Sequence, residues 1–397
     1  MSKFDNALEY LNYLATFGMK EGLEQITELA NALGNPQNFY RTVHVTGTNG
    51  KGSVCAMLAE MLKASGLRVG LFTSPHLESY CERIRINGEN ISEDDFGEII
   101  CRVRDCNVSC TNFEALTAAA FLYFKERAVD VAVIEVGLGG LLDSTNIITP
   151  ELAIITNVAL DHENILGDLD GIARNKAGII KPNVPTVTGA SGRPLEIIRA
   201  VAREKNSPLH EINPLQLQTQ NLKLNLRGDY QQFNAAIAIK AAEVLKLNSA
   251  AIDYGLANVH WPGRFEIVET SAGVVVIDGA HNPNGAAALR QSLDKNFPHG
   301  QRSWVFGALR DKDFDTMIKL LFRPNDFVIV TLPDSERAAT TEMLCNSLRE
   351  RGIACVAVED NCAAVDKLMN SPADVKIIAG SLYLIGAVRK FVWSWAT

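Results

Sequence analysis

The run Thr42–Val54, TVHVTGTNGKGSV, constrains this chain more than any other stretch. Thr42–Thr46 alternates β-branched residues as a short buried strand does. Gly47-Thr48-Asn49-Gly50-Lys51-Gly52-Ser53 is a glycine-rich turn carrying a lysine. Ser53 then opens an apolar-periodic run (Val54, Met57, Leu58, Met61, Leu62) that ends at Gly66. Strand, glycine-rich loop and helix in that order are the context of a phosphate-binding loop. Glycines let backbone N–H groups turn inward on an anion, and the helix N-terminus adds partial positive charge. Lys51 can reach terminal phosphates, and the Ser53 hydroxyl suits phosphate or Mg²⁺. The spacing departs from GxxxxGK[ST]: Val45 stands where the first Gly would be, and Gly52 separates Lys51 from Ser53. The plain alternative is a strand-to-helix turn with a solvated lysine.

At 397 residues the chain has room for two or three domains, and its 47% hydrophobic content supplies their cores. A formal net charge of −8 argues against bulk nucleic-acid binding, which leaves a basic footprint. Eight cysteines are present and none forms a CxxC pair. Cys106 and Cys110 are spaced for a metal or redox site, but scattered reduced thiols fit better. No apolar run approaches the roughly 18 residues that span a bilayer. The N-terminal MSKFDNALEY is unlike a transit peptide. The expectation is a soluble cytoplasmic protein that binds neither nucleic acid nor membrane.

Strands alternate with helices along the chain, implying parallel sheets covered on both faces. Residues 3–33 suggest two helices broken at Gly18. Val129–Val136 and Leu152–Thr156 are nearly continuous apolar strands, and Arg83–Ile86 before Asn87-Gly88 suggests a hairpin. Pro182 to Gly228 is less regular, with proline breaks, and Gln231–Lys246 returns to helix. Trp261-Pro262-Gly263-Arg264 punctuates the C-terminal half, after which the alternation restarts at strand 273–277. The expected fold is α/β: a P-loop ATPase domain with a mostly parallel sheet over 1–262, and a smaller Rossmann-like α/β domain over 263–397.

Further polar clusters fall where a doubly wound sheet places ligands, past the carboxyl ends of strands. Glu135 ends the apolar strand 129–136, and a charge there is costly unless paired or metal-bound. Asp161-His162-Glu163 follows strand 152–156 and could ligate Mg²⁺ or move protons, or be a surface turn. Lys176 alone reads as an ordinary helix-end lysine. Asp278-Gly279-Ala280-His281-Asn282-Pro283 follows strand 273–277. No nucleophile elbow is visible.

Taken in order, these segments resemble the folylpolyglutamate synthase and dihydrofolate synthase family, within the ATP-dependent amide ligases that include the Mur cell-wall ligases. The matching runs are LGNPQ (33–37), HVTGTNGKGS (44–53), FTSPHL (72–77), ERIRING (82–88), FEALTAAAF (113–121), EVGLGGLLDSTN (135–146), LDHENILG (160–167) and NKAGIIK (175–181). YQQFNAA (230–236), WPGRFE (261–266), DGAHNP (278–283), GALRDKD (307–313) and GSLYLIG (380–386) complete them.

The resemblance implies an ATP-dependent ligase joining L-glutamate to dihydropteroate or to a reduced folate through an acyl phosphate. It assigns the ATP phosphates to Asn49, Gly50, Lys51, Gly52 and Ser53, and further nucleotide contacts to Asn234, Arg264 and Asp278. Ser74, Glu135 and His162 would be Mg²⁺ ligands. Lys176 would be carbamylated, and Lys51, Lys176 and His162 would be the catalytic groups. Phe113, Leu142, Asp143 and Ser144 would meet the pterin-bearing substrate; His281, Ser381 and Arg83 would hold glutamate. ATP, two Mg²⁺ ions and a monovalent cation are the implied cofactors, acting on a monomer. Three departures stand out: Leu141 replaces the Arg of GLGGRLDATN, Glu163-Asn164 replaces a Thr-containing sequence, and Asn175 replaces Glu. The competing readings are a Mur-type ligase for another acceptor, and a P-loop NTPase or kinase needing no amino acid.

Overall fold

A computed structural model describes residues 2–18, 22–213 and 223–396. The chain forms two compact units, one of residues 1–225 with 232–259, the other of 226–231 with 260–397.

The first unit is built on eight strands: β1 (Arg41–Thr46), β2 (Val69–Phe72), β3 (Ile84–Ile86), β4 (Glu89–Asn90), β5 (Val131–Glu135), β6 (Leu152–Ile155), β7 (Thr186–Thr188) and β8 (Leu209–Glu211). Their order is β4-β3-β2-β5-β1-β6-β7-β8. All neighbours are parallel except β3, antiparallel to both β2 and β4. Asn87 and Gly88 both take positive φ at the β3–β4 turn, the conformation that a two-residue hairpin needs. β1 lies between β5 and β6, with Val45 opposite Glu135 and Thr46 opposite Ile155. A strand so placed is covered on both faces, so Val43, His44, Val45 and Thr46 are all completely buried.

The second unit carries β9 (Glu266–Thr270), β10 (Gly273–Asp278), β11 (Arg302–Phe306), β12 (Phe327–Val330), β13 (Ala354–Ala357) and β14 (Val375–Ala379), in the order β13-β12-β11-β14-β10-β9. Only β9 is antiparallel to its neighbour. Its core joins Trp304, Phe306, Phe322 and Phe265 with the inner faces of helices Pro283–Asn296, Phe314–Leu321 and Thr341–Glu350.

Three expectations change. The helix after the phosphate-binding loop begins at Lys51, not Ser53, because Gly50 takes a left-handed conformation (φ 83°) as its N-cap. Lys51, Gly52 and Ser53 therefore form the first turn, whose N–H groups have no intrahelical partner. The irregular stretch expected from Pro182 contains β7, the helix Gly192–Glu204 and β8; residues 214–222 of that stretch lie outside the described ones. Pro194 does not break this helix because it sits in the first turn, where a missing N–H costs nothing. The helix Ser249–Asn258 was not expected; Asn248 caps it, and Gly255 packs on Met61 of helix Lys51–Ala64. All eight cysteines are free thiols.

Candidate active site

In the first unit, the polar residues sit at the carboxyl ends of adjacent strands β2, β5, β1 and β6, the edge at which such a sheet receives ligands. The loop after β1 is tied to the end of β6. Asn49 N–H donates to Asn157 Oδ1 at 2.9 Å, while Thr156 Oγ1 and Asn157 Nδ2 donate to the Asn49 carbonyl at 2.6 and 3.0 Å. Thr48 Oγ1 donates to the Ala159 carbonyl at 3.1 Å and accepts its successor contact from Ala159 N–H at 3.0 Å. The Lys51 ammonium rests on its own loop, 2.9 Å from the Gly47 carbonyl and 3.3 Å from that of Thr48. Asn234, on helix Tyr230–Val244, is buried against Gly50, leaving no space there for a Cβ.

Glu135 closes β5 and is 3% exposed. Its Oε2 accepts the Ser74 N–H at 3.0 Å, so the loop after β2 is fastened to the end of β5. A buried carboxylate beside a serine is an oxygen donor pair that fits a hard divalent cation. Among the described residues no group of three or more His, Cys, Asp or Glu side chains is gathered to hold a metal. Glu135 and the Ser74 hydroxyl leave positions for water, phosphate oxygens and a further side chain, which suits Mg²⁺.

His162 follows β6 in a left-handed conformation (φ 55°) and caps the short helix Glu163–Leu166. Its backbone N–H donates to Asp161 Oδ1 at 2.9 Å. Lys176 lies on helix Leu169–Ala177 and is 5% exposed. Burial, with the Lys51 ammonium adding to it, pulls the Lys176 amine down to about 7; Asp161 and Asp143 oppose that shift. It is therefore not the solvated helix-end lysine that its local sequence suggests.

Phe113 stacks on Phe72 with ring centroids 5.9 Å apart and presses on Gly137. In the adjoining turn Leu142 is exposed and Asp143 is buried. The Asp143 carboxylate accepts Leu138 N–H at 2.8 Å, Thr145 N–H at 3.0 Å and Thr145 Oγ1–H at 2.5 Å. It thus shapes the loop from within. Ser144 Oγ meets Thr117 Oγ1 at 2.9 Å. Arg83 Nε donates to His76 Nδ1 at 2.8 Å, and its guanidinium lies over Tyr80. Of the departures, Leu141 is 48% exposed, and its N–H donates to the Asn175 carbonyl at 2.9 Å.

In the second unit, Asp278 ends β10 and Ser381 follows β14, the adjacent parallel strand. Buried Asp278 accepts Tyr230 Oη–H at 2.6 Å and the N–H groups of Phe265 and Ala280 at 2.8 Å each. Burial raises its carboxyl above the usual range, against the pull of Arg264 and these donors. His281 Nδ1 lies 2.8 Å from the Gly279 carbonyl, and Ser381 caps helix Leu382–Trp393. Thr156 and Asn157 were not singled out from sequence as site residues; both are polar residues at the end of β6 that fall outside every matching run.

Comparison with known proteins places this architecture. Residues 45–189 match the Mur ligase middle domain, and residues 263–382 match the Mur ligase glutamate ligase domain. Two such domains in one chain, with a glycine-rich phosphate loop in the first, define a Mur-type ligase. The chain is 33% identical over 424 residues to the Bacillus subtilis "Dihydrofolate synthase/folylpolyglutamate synthase", covering 98% of each. It is 38% identical to the Lacticaseibacillus casei "Folylpolyglutamate synthase", covering 92% of this chain and 93% of that one. A Haloferax volcanii "Probable bifunctional folylpolyglutamate synthase/dihydropteroate synthase" is 35% identical, and the chain spans about half its length (50%). The chain belongs to the folylpolyglutamate synthase/dihydrofolate synthase family. Among solved structures, Escherichia coli FolC in complex with DHPP and ADP superposes with TM-score 0.89 at 31% identity, covering 98% of each chain. A Mycobacterium tuberculosis folylpolyglutamate synthase complexed with ADP and AMPPCP gives 0.89 at 32%, covering 98% and 99%. A Yersinia pestis bifunctional enzyme complexed with AMPPNP and Mn ion gives 0.88 at 30%, covering 98% of each.

Proposed function

We propose that this chain is an ATP-dependent ligase that joins L-glutamate to a folate-type carboxylate, dihydropteroate or a reduced folate, with release of ADP and phosphate. What carries this reading is the convergence of the Gly47–Ser53 loop, Ser74, Glu135 and Asp161-His162 at four adjacent strand ends, in a chain that matches a dihydrofolate synthase/folylpolyglutamate synthase over 98% of its length.

A carboxylate is a poor acyl donor because oxide would have to leave. Transfer of the γ-phosphoryl group of ATP converts that oxygen into phosphate; the glutamate amine then attacks the acyl carbon and phosphate departs. This chemistry needs positioning and charge neutralisation more than a protein nucleophile. Asn49, Gly50, Lys51, Gly52 and Ser53 receive the phosphates, the Lys51 ammonium exchanging its loop carbonyls for phosphate oxygens. Asn234, Arg264 and Asp278 complete the nucleotide contacts. Ser74, Glu135 and His162 would hold a divalent cation, which would supply positive charge against the phosphate oxygens. The neutral fraction of the Lys176 amine near pH 7 suits addition to CO2 with release of one proton, and the resulting carbamate would offer a carboxylate-like oxygen pair to a divalent cation. Phe113 and the Leu142-Asp143-Ser144 turn receive the pterin-bearing acceptor, and His281 and Ser381, with Arg83, receive glutamate.

Two divalent ions, a monovalent cation, monomeric action and a cytoplasmic setting belong to the same proposal. So does the division of labour between an ATP-binding part over 1–262 and a glutamate-ligase part over 263–397. The net charge of −8 speaks against nucleic acid as a partner, and among the described residues no helix is long and apolar enough to cross a membrane. Mass spectrometry of the product tests the reading. Dihydropteroate or tetrahydrofolate should gain one glutamyl unit only with ATP and glutamate present, and whichever acceptor is extended identifies the sub-activity. A phosphorylated acceptor that gains no glutamate would mean a kinase.

A further inference from the structure

His44 is completely buried in β1, between strands β5 and β6, and no step above uses it. Its Nε2 lies 2.8 Å from Thr145 Oγ1. The Thr145 hydroxyl has a single proton, and it donates that proton to Asp143 Oδ1 at 2.5 Å. The hydroxyl oxygen therefore faces His44 as an acceptor, and His44 must supply the N–H. This fixes the imidazole as the neutral tautomer with its proton on Nε2. Nδ1 is then a bare lone pair, and it is buried without a hydrogen-bond partner among the described residues. A second proton there would be an unsatisfied donor in a completely buried site. Burial and the nearby Lys181 ammonium hold His44 down to about 3, consistent with that neutral form.

The chain of bonds ends at the substrate turn. Asp143, oriented by Thr145, holds the Leu138 N–H at 2.8 Å. The same strand grips that loop a second time, since Thr46 Oγ1 donates to the Gly139 carbonyl at 2.6 Å. β1 continues directly into Gly47 and the phosphate-binding loop. We infer that His44 is a positioning residue: as a fixed Nε2–H donor to Thr145, it sets Asp143 and the 137–145 loop in register with the phosphate-binding loop, so that the acceptor carboxylate meets the γ-phosphate. This inference rests on the ligase reading for what the loop binds.

Steady-state kinetics of His44→Phe and Thr145→Val with dihydropteroate, ATP and glutamate test it. Both variants should raise KM for dihydropteroate about tenfold, the size of one lost buried hydrogen bond, with KM for ATP and kcat changed less than about twofold. His44→Gln, which can present an N–H at a similar reach, should restore most of the loss. The double variant should be no worse than either single, because both cut one chain. Equal damage to KM for ATP, additive losses, or a His44→Gln variant as impaired as His44→Phe would overturn the inference. Should His44→Phe fail to fold, Thr145→Val decides, since it keeps the shape of the side chain. Nitrogen-15 NMR of the histidine gives a readout independent of activity: a protonated Nε2 and bare Nδ1 are expected, and the reverse tautomer would overturn the inference. A wild-type protein that makes no glutamyl product would sink the ligase reading and leave the NMR result to decide the role of His44.

Discussion

The Ser74 N–H donates to Glu135 Oε2 at 3.0 Å, joining the ends of two neighbouring parallel strands through a buried carboxylate. Glu135→Gln keeps an oxygen for that N–H while removing the negative charge. The fold should survive, and the divalent-cation concentration for half-maximal activity should rise about tenfold or more. Titration of activity with Mg²⁺ and Mn²⁺ reads this directly. An unchanged cation requirement would remove Glu135 from the metal site.

Lys176 gives a pH prediction whose sign is fixed by burial. Its amine is depressed to about 7 in the folded chain, against 10.5 ordinarily, so the neutral, CO2-reactive form grows as pH rises through about 7. Carbon-13 bicarbonate should yield a carbamate resonance that increases over that window and is missing in Lys176→Ala. Short-chain carboxylates should partly restore Lys176→Ala activity. In CO2-free buffer the unfolded chain binds more protons between about 7 and 10.5, so stability should rise with pH there. Lys176→Met should flatten that rise.

Gly50 takes φ 83°, and a Cβ on it would fall on Asn234 Oδ1. Gly50→Ala should therefore destabilise the first unit by about 1–3 kcal/mol in urea titration. ATP binding should weaken as well, because the loop and the Asn234 side chain cannot both keep their places.

Tyr230→Phe removes one donor from the buried Asp278 carboxylate. The loss should be about 1–3 kcal/mol of stability, read by denaturant unfolding. Proteolysis should locate the loosening in the second unit.

Much of this architecture is legible in the chain because parallel sheets leave a strong mark: runs such as Val131–Glu135 are apolar on both faces. The phosphate-binding loop was legible for its glycines, but its helix start was two residues early of expectation, since a left-handed Gly50 is set by geometry that composition does not carry. Helix Gly192–Glu204 was hidden by Pro194, whose place in the first turn is harmless. Edge strand β9 is antiparallel and runs into β10 with no helix between them, so it falls outside the repeating alternation. Lys176 is the instructive case. Taken by itself it reads as exposed, yet it is in phase with Ile172, Ala173 and Ala177 on the buried stripe of its helix, and that periodicity was the available signal. Pairings such as Thr145 with His44, 101 positions apart, depend on how strands are ordered in the sheet, which local pattern does not encode.

Phosphate release from ATP, measured with dihydropteroate or tetrahydrofolate and with or without L-glutamate, tests the central claim most directly. The ligase account predicts sustained release only when acceptor and glutamate are both present, in step with amide formation. Sustained release that ignores glutamate would contradict it.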